Sequence, residues 1–123
     1  MSGEGLPLLR RGSIVLVRFD PAIGSEAAKT RPAVVVSNNT ASATVVRTGR
    51  GVVTVVPVTS NVTHVYPFQV LLTAGSTGLA RDSKAQVEQV RAVSVGRIER
   101  VIGWVSAEAM AQVDAAIRLH LAV

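Results

Sequence analysis

Arg31 and Thr59 are the two side chains whose types and positions suit chemistry at a phosphodiester. Arg31 closes the polar run Gly24-Ser25-Glu26-Ala27-Ala28-Lys29-Thr30 and stands directly before Pro32 and the apolar Ala33-Val34-Val35-Val36. A guanidinium keeps its proton at neutral pH, so Arg31 is no general base. It is instead a planar fork of donors that can clamp a phosphate and stabilise charge growing on phosphoryl oxygens. Thr59 ends the valine-rich segment VVTVVPVT, where Ser60 and Asn61 begin. Its hydroxyl can donate to a phosphoryl oxygen or position an attacking group. A substrate that brings its own nucleophile would complete the pair, as RNA does with its 2′-hydroxyl. A plainer account has Arg31 paired with Glu26 and Thr59 merely ending a strand, and residue chemistry alone leaves both accounts open.

Other chemistries are narrowed by what the sequence lacks. There is no cysteine, which removes disulfides, thiolate metal sites and cysteine nucleophiles. No G-x-S-x-G, H-E-x-x-H or G-x-x-x-x-G-K-[ST] pattern occurs. The eight carboxylates are scattered, so no metal cluster and no cofactor is expected. His120 falls near the end of a C-terminal helical pattern, where a helix dipole accounts for it. His64 follows Thr59-Ser60-Asn61 closely and is a candidate for substrate contact or catalysis, or simply a loop histidine.

Charge is unevenly placed. The net is +5, yet no carboxylate occurs from Ala27 to Arg81, a stretch that holds Lys29, Arg31, Arg47, Arg50 and Arg81. The rest of the chain carries eight basic and eight acidic side chains, which cancel. The excess positive charge therefore lies where a polyanion could meet it, although solvated loop charges would look the same. Gly51 to Ala80 carries no formal charge, but Pro57, Ser60, Asn61, Thr63, His64, Pro67 and Gln69 interrupt it, so it reads as buried strands and not as a membrane span.

The elements that must hold these residues are mostly strands. β-branched residues predict strands over Ser13–Phe19, Pro32–Ser37, Val52–Thr59, Tyr66–Leu72, Lys84–Val93 and Ile102–Val105. Pro57 and Pro67 remove ladder donors and predict edges or bulges there. Residues 20–31, 38–51 and 73–83 read as long polar loops, the second of them as a loop or loose hairpin. Met110, Val113, Ile117 and Leu121 then recur at helical spacing, with Asp114 and Arg118 on the other face, Ser106 as N-cap and Glu108 in the first turn. Five or six strands and one closing helix predict a small, strongly bent antiparallel barrel. Residues 1–10 read as a short leader without the features of a signal peptide, and 11–123 as one domain.

A set of segments in order carries a resemblance. They are Arg11-Gly12-Ser13-Ile14, Phe19-Asp20-Pro21, Gly24-Ser25-Glu26, Arg31-Pro32-Ala33-Val34-Val35-Val36-Ser37-Asn38, Val55-Val56-Pro57-Val58-Thr59-Ser60-Asn61, Tyr66-Pro67-Phe68-Gln69-Val70 and Glu88-Gln89-Val90-Arg91. With the closing helix, the chain resembles the MazF/PemK family of toxin endoribonucleases. The resemblance implies a mainly β fold with α, an SH3-like barrel of the CcdB/PemK kind with a C-terminal helix. It implies a cytoplasmic homodimer that cuts single-stranded mRNA without a metal, leaving a 2′,3′-cyclic phosphate and a 5′-hydroxyl. It implies Arg31 and Thr59 as the catalytic pair, Phe19 as a base-stacking aromatic, and Gln89 and Glu26 as site residues. Lys29, Ser60, Asn61 and His64 are further candidates for substrate contact. The implied partner is a MazE-like antitoxin whose disordered tail fills the RNA groove, with DNA met only through that complex.

The chain departs from the family pattern after Gly24-Ser25-Glu26, where Ala27 stands for the usual glutamine and Lys29 for a glycine. Trp104 stands where a polar or basic residue is expected, and is a candidate for a dimer surface or for packing. A protein-binding poison on the same barrel, such as a gyrase inhibitor, and a non-catalytic RNA-binding barrel are the rival expectations.

Overall fold

The computed structural model describes residues 9–20 and 29–123. Its elements are β1 (Ser13–Asp20), β2 (Lys29–Val35), α1 (Asn39–Thr48), β3 (Val52–Thr59), β4 (Gln69–Leu72), α2 (Ala74–Thr77), β5 (Ser83–Gln86), β6 (Arg91–Ser94), β7 (Ile98–Trp104) and α3 (Ala107–Leu121). Single turns of 3₁₀ helix, Val87–Gln89 and Val95–Arg97, separate β5 from β6 and β6 from β7.

All pairings are antiparallel, in the order β4-β5-β3-β2-β1-β7, with β6 also on β3. The path has two ends, so the expected barrel is a seven-stranded sheet whose ladder does not close. It nonetheless curls on itself, because Ile14 of β1 and Leu72 of β4 share one core.

Both faces of the central strands are covered, which suits their unbroken valine content. Val15, Val17, Ala33, Val35, Val53 and Val55 face one core, to which Val93 and Ile98 also contribute. Ile14, Val34, Val56, Val58, Val70 and Leu72 face the other, closed by Val113 and Ala116 of α3. The period-2 alternation along each strand divides the residues between the two cores.

Several expectations need correction: β7 runs Ile98–Trp104 and not Ile102–Val105, the expected loop 73–83 holds α2, and four further differences follow. Residues 38–51 form α1, not a loop. Asn38 caps it by accepting from the Ala41 N–H at 2.8 Å, and Gly49 ends it at φ 69°. Thr44 and Thr48 return their hydroxyls to the carbonyls of Thr40 and Thr44, so residues that favour turns are satisfied within the helix. Residues 84–93 are two strands. The 3₁₀ turn between them lies alongside β3 near Pro57, between the Val55 and Val58 pairings. The Thr54 carbonyl is taken by Val36 on the β2 side, so alternation turns position 57 toward β5 and β6, where proline has no N–H to offer. The strand expected from Tyr66 begins only at Gln69, whose N–H closes a turn onto the Tyr66 carbonyl at 2.8 Å. Leu121, expected on the apolar helix face, is exposed at the frayed end of α3.

The cap on α3 is as expected, since Ser106 accepts from the Ala109 N–H at 3.1 Å. Arg11 ties α3 to the sheet through Asp114 at 2.6 Å and the Val36 carbonyl at 2.8 Å. No helix among the described residues is long and apolar enough to cross a membrane.

Candidate active site

The β2–β3 register assembles the site. The ladder runs from Val35–Val55 to Ala33–Pro57, and Arg31 and Thr59 each lie two residues beyond its last pair. Both are on the sheet face that carries Ala33 and Val55, because alternate residues share a face. Residues that begin and end two different strands are thereby neighbours. They line one cleft of about 370 Å³ with Pro32, Ser60, Arg81 and Ser83, and Val58 and Leu79 of the second core also border it.

Each side chain has a local reason for its place. Arg31 is exposed, on a strand that Pro32 stiffens. Thr59 is half-buried, and its Oγ1 accepts the Asn61 N–H at 3.2 Å. That bond occupies a lone pair and leaves the hydroxyl hydrogen to be donated elsewhere. Asn61 in turn accepts the Thr63 N–H at 3.2 Å, which continues the turn out of β3. Arg81 is held on its turn by Ser83, whose Oγ donates to the Arg81 carbonyl at 2.9 Å. Two guanidinium groups and a donating hydroxyl in one cleft make an anion site suited to a phosphodiester.

The structure gathers three of the nominated residues, Arg31, Thr59 and Ser60, at that cleft. Asn61 adjoins it through the Thr59 hydroxyl. Phe19 is only 6% exposed, within the first core. The Arg91 guanidinium lies 5.3 Å from its ring centre, so a base arriving there would meet Arg91 and not the phenyl face expected to stack. His64 is exposed in the loop that follows, with its ring 6.1 Å from that of Tyr66, and is not among the cleft-lining residues. Gln89 ends the 3₁₀ turn, exposed and also outside the cleft lining. Lys29 opens β2 with its backbone paired to Asp20. Gly24, Ser25, Glu26 and Ala27 lie outside the described residues.

Sequence reasoning missed one cleft-lining residue, Arg81, and one ladder neighbour of Thr59, Lys84. Arg81 was legible only as part of the charge excess, and its entry into the cleft depends on the turn before β5. Lys84 stands directly opposite Thr59 in the β3–β5 ladder, on the same face, yet is only 7% exposed. A lysine inside a strand-like run was the available signal.

Comparisons with known proteins bear on the family and the fold. A family model described as PemK-like, MazF-like toxin of type II toxin-antitoxin system matches residues 10–121. Endoribonuclease MazF9 of Mycobacterium tuberculosis is 60% identical over 114 residues, covering 93% of this chain and 97% of the relative. Endoribonuclease EndoA of Bacillus subtilis is 28% identical over 120 residues, covering 94% and 97%. Among solved structures, a MazE–MazF complex from Deinococcus radiodurans superposes with a TM-score of 0.76 at 25% identity, covering 94% of this chain and 97% of that one.

Proposed function

The chain belongs to the PemK-like, MazF-like toxin family of type II toxin–antitoxin systems, and from that premise we propose that it is an endoribonuclease toxin that cleaves single-stranded mRNA at selected sequences without a metal. The observation that carries this reading is that Arg31, from the start of β2, and Thr59, from the end of β3, line one cleft. A protein-binding poison needs no such pair.

In this mechanism the phosphodiester lies over Thr59, with its non-bridging oxygens toward Arg31 and Arg81. The substrate's 2′-oxygen attacks phosphorus in line, the bond from phosphorus to the 5′-oxygen breaks, and the proton lost by the 2′-hydroxyl is matched by one gained on the leaving oxygen. No water is consumed, and the products are a 2′,3′-cyclic phosphate and a 5′-hydroxyl. Arg31 stabilises the negative charge that builds in the transition state, and the Thr59 hydroxyl donates to a phosphoryl oxygen and fixes its orientation. Loss of one such donor costs on the order of 10²–10³ in rate. Ser60, Asn61 and Lys29 are assigned to substrate contact, and Glu26 and Gln89 are carried as residues of the same RNA path. With Phe19 in the core, Arg91 above it is the surface that a base would meet.

The assigned partner is a MazE-like antitoxin that competes with RNA for the same groove, DNA being reached only through that complex. The assigned state is a cytoplasmic homodimer. The half-exposed Trp104 on the sheet-edge strand β7 is the residue we assign to a subunit surface.

The test is incubation with long single-stranded RNA in excess chelator, with mapping of the new 5′ ends. Cuts at a recurring short sequence are expected, and Arg31→Ala should abolish them while circular dichroism and molecular mass stay those of the parent. Intact RNA with the parent protein, or undiminished cutting by Arg31→Ala, would sink the assignment.

A further inference from the structure

Lys84 is the most deeply placed cation among the described residues, at 7% exposure, and its position has no packing rationale. It stands between Thr59 of β3 and Leu71 of β4, paired with both and on the same face as both. A methionine or leucine there would cover the neighbouring apolar surface without the cost of burying an ammonium. What the ammonium does instead is reach outward. Its Nζ donates to the main-chain carbonyl of His64, in a short bond, and lies 5.7 Å from the centre of the Tyr66 ring. Both contacts belong to the loop 60–68, whose first residue lines the cleft.

The far end of that loop is organised around one aromatic pair. Tyr66 and Phe68 are stacked with centroids 5.4 Å apart and planes within 1°. The Tyr66 main chain is fastened by Gln69, whose Oε1 accepts the Tyr66 N–H at 3.2 Å and whose own N–H donates to the Tyr66 carbonyl at 2.8 Å. Gln69 is itself steadied by Glu88 at 2.8 Å. Yet the Tyr66 side chain is half exposed, at 50%. The loop thus presents a half-exposed aromatic ring, flanked by Phe68 and His64 and held from the strand beneath by Lys84. Lys84 thus joins the two: its backbone stands directly opposite Thr59, about 5 Å away, and its ammonium reaches the Tyr66 ring.

We propose that Lys84 is a positioning residue for RNA binding: it pins the loop 60–68 so that Tyr66, backed by Phe68, stacks on a base flanking the scissile phosphate. This rests on the nuclease reading above. Stacking on an aromatic platform favours any base, so the device raises affinity for single-stranded RNA and leaves the chemical step to Arg31 and Thr59.

The test uses the whole protein and two RNAs, one all-ribonucleotide and one with a 2′-deoxy residue at the mapped cut and 2-aminopurine placed in turn on either side of it. In the parent, binding the uncut RNA should quench the 2-aminopurine on one side. Lys84→Met should raise KM about tenfold with kcat falling less than about threefold, and should remove that quenching at saturating protein. Lys84→Arg, which keeps a charged donor, should recover most of both. Tyr66→Leu, altering a half-exposed side chain, should give the same KM rise and loss of quenching, and it carries the test if Lys84→Met does not fold. A parental KM and parental quenching in both variants, or a loss confined to kcat and thermal stability, would overturn the proposal. If the parent cuts no RNA, it is the nuclease reading that fails; if the parent cuts normally and only these variants behave as the parent, the failure is this inference alone.

Discussion

At the scale of single residues, the cleft works by leaving particular hydrogens and charges available. Thr59 is instructive because its oxygen already accepts from Asn61 while its hydrogen stays available to donate. Thr59→Val, which keeps the β-branched shape, should therefore lower cleavage by about 10²–10³-fold, with stability changed by no more than about 1 kcal/mol because the Asn61 N–H stays at the surface and can turn to water. Single-turnover kinetics at saturating RNA, alongside urea denaturation, would separate the two effects. A tenfold or smaller loss would reduce Thr59 to a loop-capping residue. The same scale places Phe19, which the resemblance implied as a base-stacking aromatic: alternation from Val15 and Val17 carries it into the core.

At the scale of elements, register matters more than composition. Arg31 and Thr59 meet because β2 and β3 pair through Ala33 and Pro57, and Lys84 joins them because β5 takes up the last two residues of β3. Strand β7 shows the opposite demand, a backbone that must come close to another. A Cβ built on Gly103 would lie 2.0 Å from the Thr77 carbonyl oxygen of α2, whereas one on Gly75 in the same helix meets nothing within 4 Å. Gly103→Ala should thus destabilise the protein by roughly 1–3 kcal/mol by forcing α2 off the strand, while Gly75→Ala should be close to neutral. Chemical denaturation of the two variants checks this, and equal stabilities would mean that α2 moves away without cost. The elements also show where composition misled. Threonine and serine argue against a helix over 39–48, but Thr44 and Thr48 bond back into the turn before, Ser42 pairs with the Ser37 hydroxyl, and Asn38 caps the start.

At the scale of the whole molecule, the curled sheet gathers charge that is spread along the chain. Arg31 and Arg81 are fifty positions apart in sequence and line one cleft. Binding of RNA should accordingly be salt-dependent, with log K falling against log salt at a slope of at least about −1.4, since each phosphate contact on a single strand contributes about −0.7. Arg81→Gln should reduce the slope by about 0.7, as followed by fluorescence anisotropy with an RNA lacking the reactive 2′-hydroxyl. A slope that Arg81→Gln leaves unchanged would remove it from the phosphate path.

The amino-acid sequence by itself determined β1, β3 and the middle of β2, through β-branched content and alternation, and the closing helix, through its period and the Ser106 cap. It also determined which two side chains had phosphodiester chemistry to offer, and its ordered motifs pointed to the family. Those features are local, set by a residue and its near neighbours. The tertiary structure alone decided that Arg31 and Thr59 line one cleft, that Arg81 enters beside them, that Phe19 is withdrawn and that Lys84 lies under the loop 60–68. Each of these depends on which strand pairs with which and in what register. That choice is made by the two cores as the sheet curls, because a shift of one residue would turn every valine from one core toward the other.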